Sequence, residues 1–238
     1  MTGRFVVTTD TSELVAMLDI DHEAENLPGA SYNVAPGDRV AVLIDAVNKN
    51  AAVAEYDPEN PGVLRRLESA SWGLVPGGAP DAGVGAKLFN APVEELLQNP
   101  AFAPAVASYY VWHKGDDGSS SAQFVHSPDG EPLLLAALYE WWKDPALAPG
   151  DPARWLLSTT VITRGSGGPL ALIHERMPVL LEPGLLEDWL DPRTPGSAEL
   201  VQAVADAALD LADDVEFYEV SKDVAKAGNN SEALIQPI

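Results

Sequence analysis

Residues 106–113, 122–126 and 131–138 are three β-prone stretches that follow one another with no helical stretch between them. The breaks are short and turn-forming: Gly115-Asp116-Asp117-Gly118-Ser119-Ser120-Ser121 and Ser127-Pro128-Asp129-Gly130. Gly, Asp, Ser and Pro supply the backbone angles of a tight reversal, so the stretches read as successive antiparallel strands. A parallel neighbour would need a crossover of about a dozen residues or more. The regular alternation of strand and helix is therefore excluded. A mixed α+β chain with a mostly antiparallel sheet is expected.

The remaining segments fit that class. Residues 4–9 alternate as a strand. Thr11-Ser12-Glu13 then opens a short helix with Leu14, Val15, Met17 and Leu18 on its apolar side, a polar cap beside an acidic first turn. Residues 39–47, 70–75 and 155–163 read as strands, and 70–75 runs into the turn Pro76-Gly77-Gly78. The apolar run from Leu133 to Leu138 predicts a buried strand. Pro92 to Leu97 predicts a short helix with proline in its first turn. Residues 144–153 form a surface loop, Gly165-Ser166-Gly167-Gly168 a flexible break, and Glu187 to Leu190 the end of a short helix. Ser197 to Ala212 is the best helix, with Leu200, Val201, Val204, Ala208 and Leu211 at helical spacing. A strand at 215–220 precedes a polar tail.

A length of 238 residues with 46% hydrophobic side chains suits one domain, 1–238, with a real core. No stretch approaches the roughly 18 uninterrupted apolar residues of a membrane span. No signal peptide is visible, since Arg4 is followed by Phe-Val-Val and then by Thr and Asp, and the expected location is cytoplasmic. Zero cysteines exclude disulfides, a thiol nucleophile and thiolate metal sites. His22, His113 and His126 show no metal-ligand spacing, so neither a metal nor a cofactor is expected.

The formal charge is −22, from 14 basic and 36 acidic residues. A nucleic-acid binder ordinarily presents a basic stripe that neutralises phosphates and releases counterions. Non-specific DNA affinity should accordingly be weak. Arg4, Lys87, Lys114, Arg164 and Arg176 are the cations available for a local groove.

Thr2 follows Met1 and is small enough for ordinary methionine removal. A chain beginning at Thr2 would carry a free α-amine beside a β-hydroxyl. With a pKa of about 7.7–8.0, a useful fraction of that amine is neutral near pH 7. Such an amine can form a Schiff base with an aldehyde, or act as base toward its own hydroxyl.

Several short motifs run through the chain in a fixed order. They are Met1-Thr2-Gly3-Arg4-Phe5, Tyr32-Asn33-Val34-Ala35-Pro36, Ser71-Trp72-Gly73-Leu74-Val75-Pro76 and Asn90-Ala91-Pro92-Val93-Glu94. Further along come Tyr110-Val111-Trp112, Ala136-Ala137-Leu138-Tyr139-Glu140, His174-Glu175-Arg176-Met177-Pro178 and Val220-Ser221-Lys222-Asp223-Val224. Together they resemble the SOS-response-associated peptidase family over nearly the whole chain. The resemblance implies an α+β domain with a curved, partly barrel-like, mostly antiparallel sheet flanked by helices. It also implies an N-terminus lying in a central cleft near Asn90 and His174.

In that family an N-terminal cysteine amine attacks the ring-opened aldehyde of an abasic sugar in single-stranded DNA, and the thiol closes a thiazolidine. The resemblance makes Thr2, Asn90 and His174 the catalytic candidates, with Asn90 as hydrogen-bonding group and His174 as acid/base. It makes Arg4, Trp72 and Arg176 the DNA-binding candidates. Three family positions are changed: the glutamate is Val111, the arginine after Asn-Ala is Pro92, and a tryptophan is Gly78. A threonine can close an oxazolidine where cysteine closes a thiazolidine, but its hydroxyl is the poorer nucleophile at neutral pH. The expected activity is a reversible imine or slow lyase reaction by a monomer. Two alternatives stand beside it. One is a threonine N-terminal amidohydrolase, as the peptidase name suggests. The other is a non-catalytic paralogue that binds another partner.

Overall fold

The computed structural model describes residues 3–47, 62–96, 101–115, 117–194 and 196–238. In chain order the elements are β1 (Arg4–Val7), α1 (Thr11–Met17), β2 (His22–Glu23), β3 (Ser31–Val34), β4 (Arg39–Val47), β5 (Val63–Trp72), β6 (Asn90–Pro92) and β7 (Ala101–Val106). They continue with β8 (Ser108–Lys114), β9 (Ser120–His126), β10 (Leu134–Lys143), β11 (Trp155–Gly165), β12 (Arg176–Pro178), α2 (Leu186–Leu190), α3 (Ala198–Leu211) and β13 (Glu216–Val220).

Two sheets organise these strands. One has the order β13-β9-β8-β1-β3, with every pair antiparallel. The other follows the path β12-β11-β10-β7-β4-β5-β2. Its path bends back on itself, because β11 also pairs in parallel with β5 through Ser158↔Ser71 and Thr159↔Trp72. Gly73 N–H donates to Thr159 O at 2.8 Å beside that seam. Strands β5, β4, β7, β10 and β11 thus close into a partial barrel. A ring of so few strands has a narrow interior. Small side chains are frequent in its strands: Ala70, Ala105, Ala136 and Ala137 are each at most 3% exposed.

The mostly antiparallel α+β class is as expected, with parallel pairs at β11–β5, β11–β6 and β2–β5. The strand expected at 106–113 divides at Ala107, where the chain passes from β7 in the barrel to β8 in the other sheet. β8 and β9 do pair, but β10 pairs with β7 and β11 and leaves β9 for the barrel. Leu135, Ala136 and Ala137 are fully buried although successive strand side chains point to opposite faces. A strand covered on both sides has no polar face to reveal its partner. β5 begins at Val63, earlier than expected, and β1 stops at Val7. The helix expected at 92–97 is one 3-10 turn, Val93–Glu95; Leu97 lies outside the described residues.

Helix α3 forms as its periodicity predicts. The Ser197 hydroxyl caps it by accepting from Leu200 N–H at 3.1 Å, and Val201, Val204, Ala205 and Ala208 are buried. α1 is capped by Asp10, which accepts from Ser12 N–H at 2.8 Å. Trp72 joins the two sheets: its ring stacks on Phe5 at 4.0 Å, and its Nε1 donates to Phe89 O at 2.8 Å. Among the described residues no helix is long and apolar enough to cross a membrane.

Candidate active site

Strand β11 gathers the site. β6 lies parallel along it, with Asn90 opposite Val161 and Pro92 opposite Thr163. β12 lies antiparallel on the same stretch, with Met177 opposite Arg164 and Arg176 opposite Gly165. The 3-10 turn Gly168–Leu172 returns the chain from β11 and delivers Ile173 and His174 just before β12. Asn90 thus lies beside the middle of β11, and Arg176 beside its end, with His174 two residues before it. Asn90 is half-buried in β6, and the N-cap of the following turn is Pro92, with no side-chain cap.

His174 is held in a defined state. Its Nδ1 accepts from Arg176 N–H at 2.9 Å, and a backbone N–H can only donate. The neutral ring must then carry its proton on Nε2. Burial pushes the pKa of His174 below the ordinary 6.5, which favours this neutral form at pH 7. The Arg176 carbonyl, 3.1 Å from Nδ1, would accept from it once the ring is protonated.

Arg176 braces the site. Its guanidinium meets both oxygens of Glu94 at 2.7 and 3.0 Å and donates to Thr163 O at 2.7 Å. The hydrogen bonds from Arg176 hold the Glu94 carboxyl below its usual pKa. Lys114 and Arg164 add positive potential nearby, acting on His174 and Glu94 respectively. Arg164 also faces Asp206 at 3.7 Å.

A further imidazole stands at this end. His113 on β8 places Nδ1 3.1 Å from Ile173 O, one residue before His174. Its place in the site does not follow from metal-ligand spacing. The available signal was its two-residue step from Val111, which puts both on one face of β8.

Other candidates sit elsewhere. The Arg4 guanidinium donates to Asn33 Oδ1 at 2.9 Å and to Ala225 O at 3.1 Å, and so anchors the C-terminal segment. Trp72 is 0% exposed and stacked on Phe5, so no ring face is open to a base, which corrects its expected DNA contact. Val111 is 2% exposed and part of the apolar core. Gly78 is exposed in a turn, and a Cβ built there meets nothing within 4 Å. Thr2 lies outside the described residues. Lys87 is exposed at the end of a separate 3-10 turn, Ala82–Lys87. A cavity of about 500 Å³ beside Met17, Leu133, Leu186 and Leu211 contains none of the candidates.

The chain belongs to the SOS response associated peptidase (SRAP) family, whose description matches residues 1–227. It is 31% identical to the abasic site processing protein YoqW of Bacillus subtilis (strain 168), over 99% of both chains. It is 26% identical to the abasic site processing protein YedK of Escherichia coli (strain K12), over 100% of both. Among solved structures, a protein from Bacteroides thetaiotaomicron superposes with a TM-score of 0.72 at 14% identity, over 99% of each chain. One from Bordetella bronchiseptica gives 0.65 at 19% identity, over 92% of this chain and 99% of that one. These two likenesses concern the fold alone.

Proposed function

We propose that this protein processes abasic sites in single-stranded DNA, with Thr2 as the reacting residue once Met1 is removed. One observation carries the reading: β1 is antiparallel to β8 with Arg4 opposite Tyr110. That register directs the chain preceding Arg4 toward Val111 and His113, the end of β8 where Ile173 and His174 are held. The end-to-end match to proteins named for abasic site processing supplies the substrate class.

In this reading the Thr2 amine adds to the aldehyde of the ring-opened sugar and water is lost, leaving an imine. His174 Nε2–H hydrogen-bonds to the oxygen as negative charge develops on it. Addition of the threonine hydroxyl across the imine would give an oxazolidine, which opens again more readily than a thiazolidine. The result is a reversible adduct or slow strand scission.

The burial of Val111 favours a second reading, a retained scaffold that has lost its crosslinking chemistry, because an apolar core side chain occupies the family's acid position. Trapping on a single-stranded oligonucleotide with one abasic site separates the two. The first predicts an adduct that appears only with borohydride and disappears when the Thr2 amine is blocked. No adduct from the natural chain, but one from a Thr2→Cys/Val111→Glu double variant, would establish the second. Intact mass shows whether the purified chain begins at Thr2, and a retained Met1 would rule out the amine chemistry.

A further inference from the structure

We propose that His113 is the proton-transfer group of this site and does the work for which Val111 has no ionisable atom. The inference rests on the imine chemistry proposed above and adds a residue to it.

Position comes first. Val111 points into the main core, Trp112 turns to the opposite face against the second apolar cluster, and His113 returns to the face of Val111. A two-residue step along a strand is about 6.6–6.8 Å, so His113 is the next side chain after Val111 on that face. His113 is half-buried, so it is fixed by the fold yet open on one side.

Protonation state comes second. Ile173 O can only accept, so the 3.1 Å contact places a proton on His113 Nδ1. The neutral ring then carries its lone pair on Nε2, and among the described residues no hydrogen bond engages that atom. His174 has the opposite tautomer, with Nδ1 accepting and the proton on Nε2. The backbone around Ile173 thus sets two imidazoles in complementary states, a base at His113 and a hydrogen-bond donor at His174.

The proton balance follows. As the Thr2 nitrogen bonds to the aldehyde carbon, it releases a proton to His113 Nε2, which passes it to the former carbonyl oxygen. A second proton, taken up by His113 from solvent, lets that hydroxyl leave as water. The C–O bond breaks, the nitrogen lone pair forms C=N, and the positive charge moves to the iminium nitrogen. No oxidant or reductant is required.

The test measures the rate of borohydride-trapped adduct for the natural chain and for Thr2→Cys, each with His113→Gln and His113→Ala. Glutamine can still donate to Ile173 O, so a purely structural role predicts an unchanged rate for His113→Gln. The proposal predicts a fall of about 10²–10⁴-fold in both variants, the usual worth of a positioned acid/base. It also predicts recovery of His113→Ala on adding free imidazole, and of His113→Gln on adding Val111→Glu. A natural rate in His113→Gln, or a slow His113→Ala that neither imidazole nor glutamate relieves, overturns it. If only the Thr2→Cys chain forms an adduct, threonine chemistry has failed and His113 is judged on the cysteine chain. If neither forms one, the function proposed above fails and the role of His113 falls with it.

Discussion

Arg176 is paired with Glu94 through two parallel hydrogen bonds, 2.7 and 3.0 Å, while a third fixes the same guanidinium to the Thr163 carbonyl. The cation is therefore partly neutralised within the protein. A phosphate approaching it would have to compete with a carboxylate. Glu94→Gln removes the competing charge and keeps a polar group in place. Single-stranded DNA should bind several-fold more tightly to this variant. The slope of log affinity against log salt should steepen by about 0.7 for one additional phosphate contact. Fluorescence anisotropy over a salt series reads both. An unchanged slope would make Arg176 a brace between β11, β12 and the turn after β6, and nothing more.

Stability should fall on the acid side through His174. Its folded pKa lies below the ordinary 6.5, mainly through burial. Between the two values the unfolded chain binds a proton that the folded chain refuses, so stability drops as pH falls. The contribution is complete above pH 6.5 and is lost as pH descends through the folded pKa. Urea denaturation at stepped pH should show the loss, and His174→Gln should reduce it. Equal slopes for both chains would mean that His174 is not its source.

Gly78 leaves room for an aromatic ring. Nothing lies within 4 Å of a Cβ built at that position. Gly78→Trp should therefore fold with little change in melting temperature and offer a stacking face to an unpaired base. Such stacking is worth about 1–3 kcal/mol per base, so affinity for single-stranded DNA should rise about fivefold or more. A destabilised variant, or one with unaltered affinity, contradicts this reading of the turn.

Asn33 ties the first strand to the end of the chain. It is 3% exposed, accepts from Arg4, and donates to the carbonyls of Lys226 and Asn229 at 3.0 and 2.8 Å. Asn33→Ala leaves those groups without their partner, at a cost of about 1–3 kcal/mol. Hydrogen exchange should accelerate in residues 221–238 and at Tyr32 N–H, which donates to Asn230 Oδ1 at 2.7 Å. Arg4→Met should produce a milder form of the same pattern. If Arg4→Met instead weakens DNA binding with no change in exchange, Arg4 serves the ligand after all.

Long periodic segments were legible from sequence. The strand at 39–47 and the helix beginning at Ser197 needed only their patterns and a cap. The three-residue strands β6 and β12 were not, because they exist through pairing with β11 and are too short to show a period. The barrel seam was equally hidden, since two residue pairs, Ser158↔Ser71 and Thr159↔Trp72, leave no pattern in either strand. At the site, Asn90 stands on a strand paired with β11, and His174 lies just before another. The burial of Trp72 was not legible, for a physical reason. A strand pattern shows that neighbours face opposite ways, but not which face meets the core. Here Phe5 and Trp72 face the main core, and Val6 faces the second apolar cluster.

β1 sits between β8 and β3, and its Arg4 is fastened to a carbonyl 221 positions later. β1 precedes the other described strands in synthesis, yet is among the last of them to be fully secured. Contacts this distant in sequence make folding slow, and a growing chain cannot form them early. In a nascent chain β1 can pair with β3 early, but its other edge stays open until β8 has emerged, and its fastening through Arg4 waits for Ala225. Chaperone capture or stalled translation before Ala225 should therefore yield molecules whose barrel strands are paired while β1 lacks its fastening through Arg4.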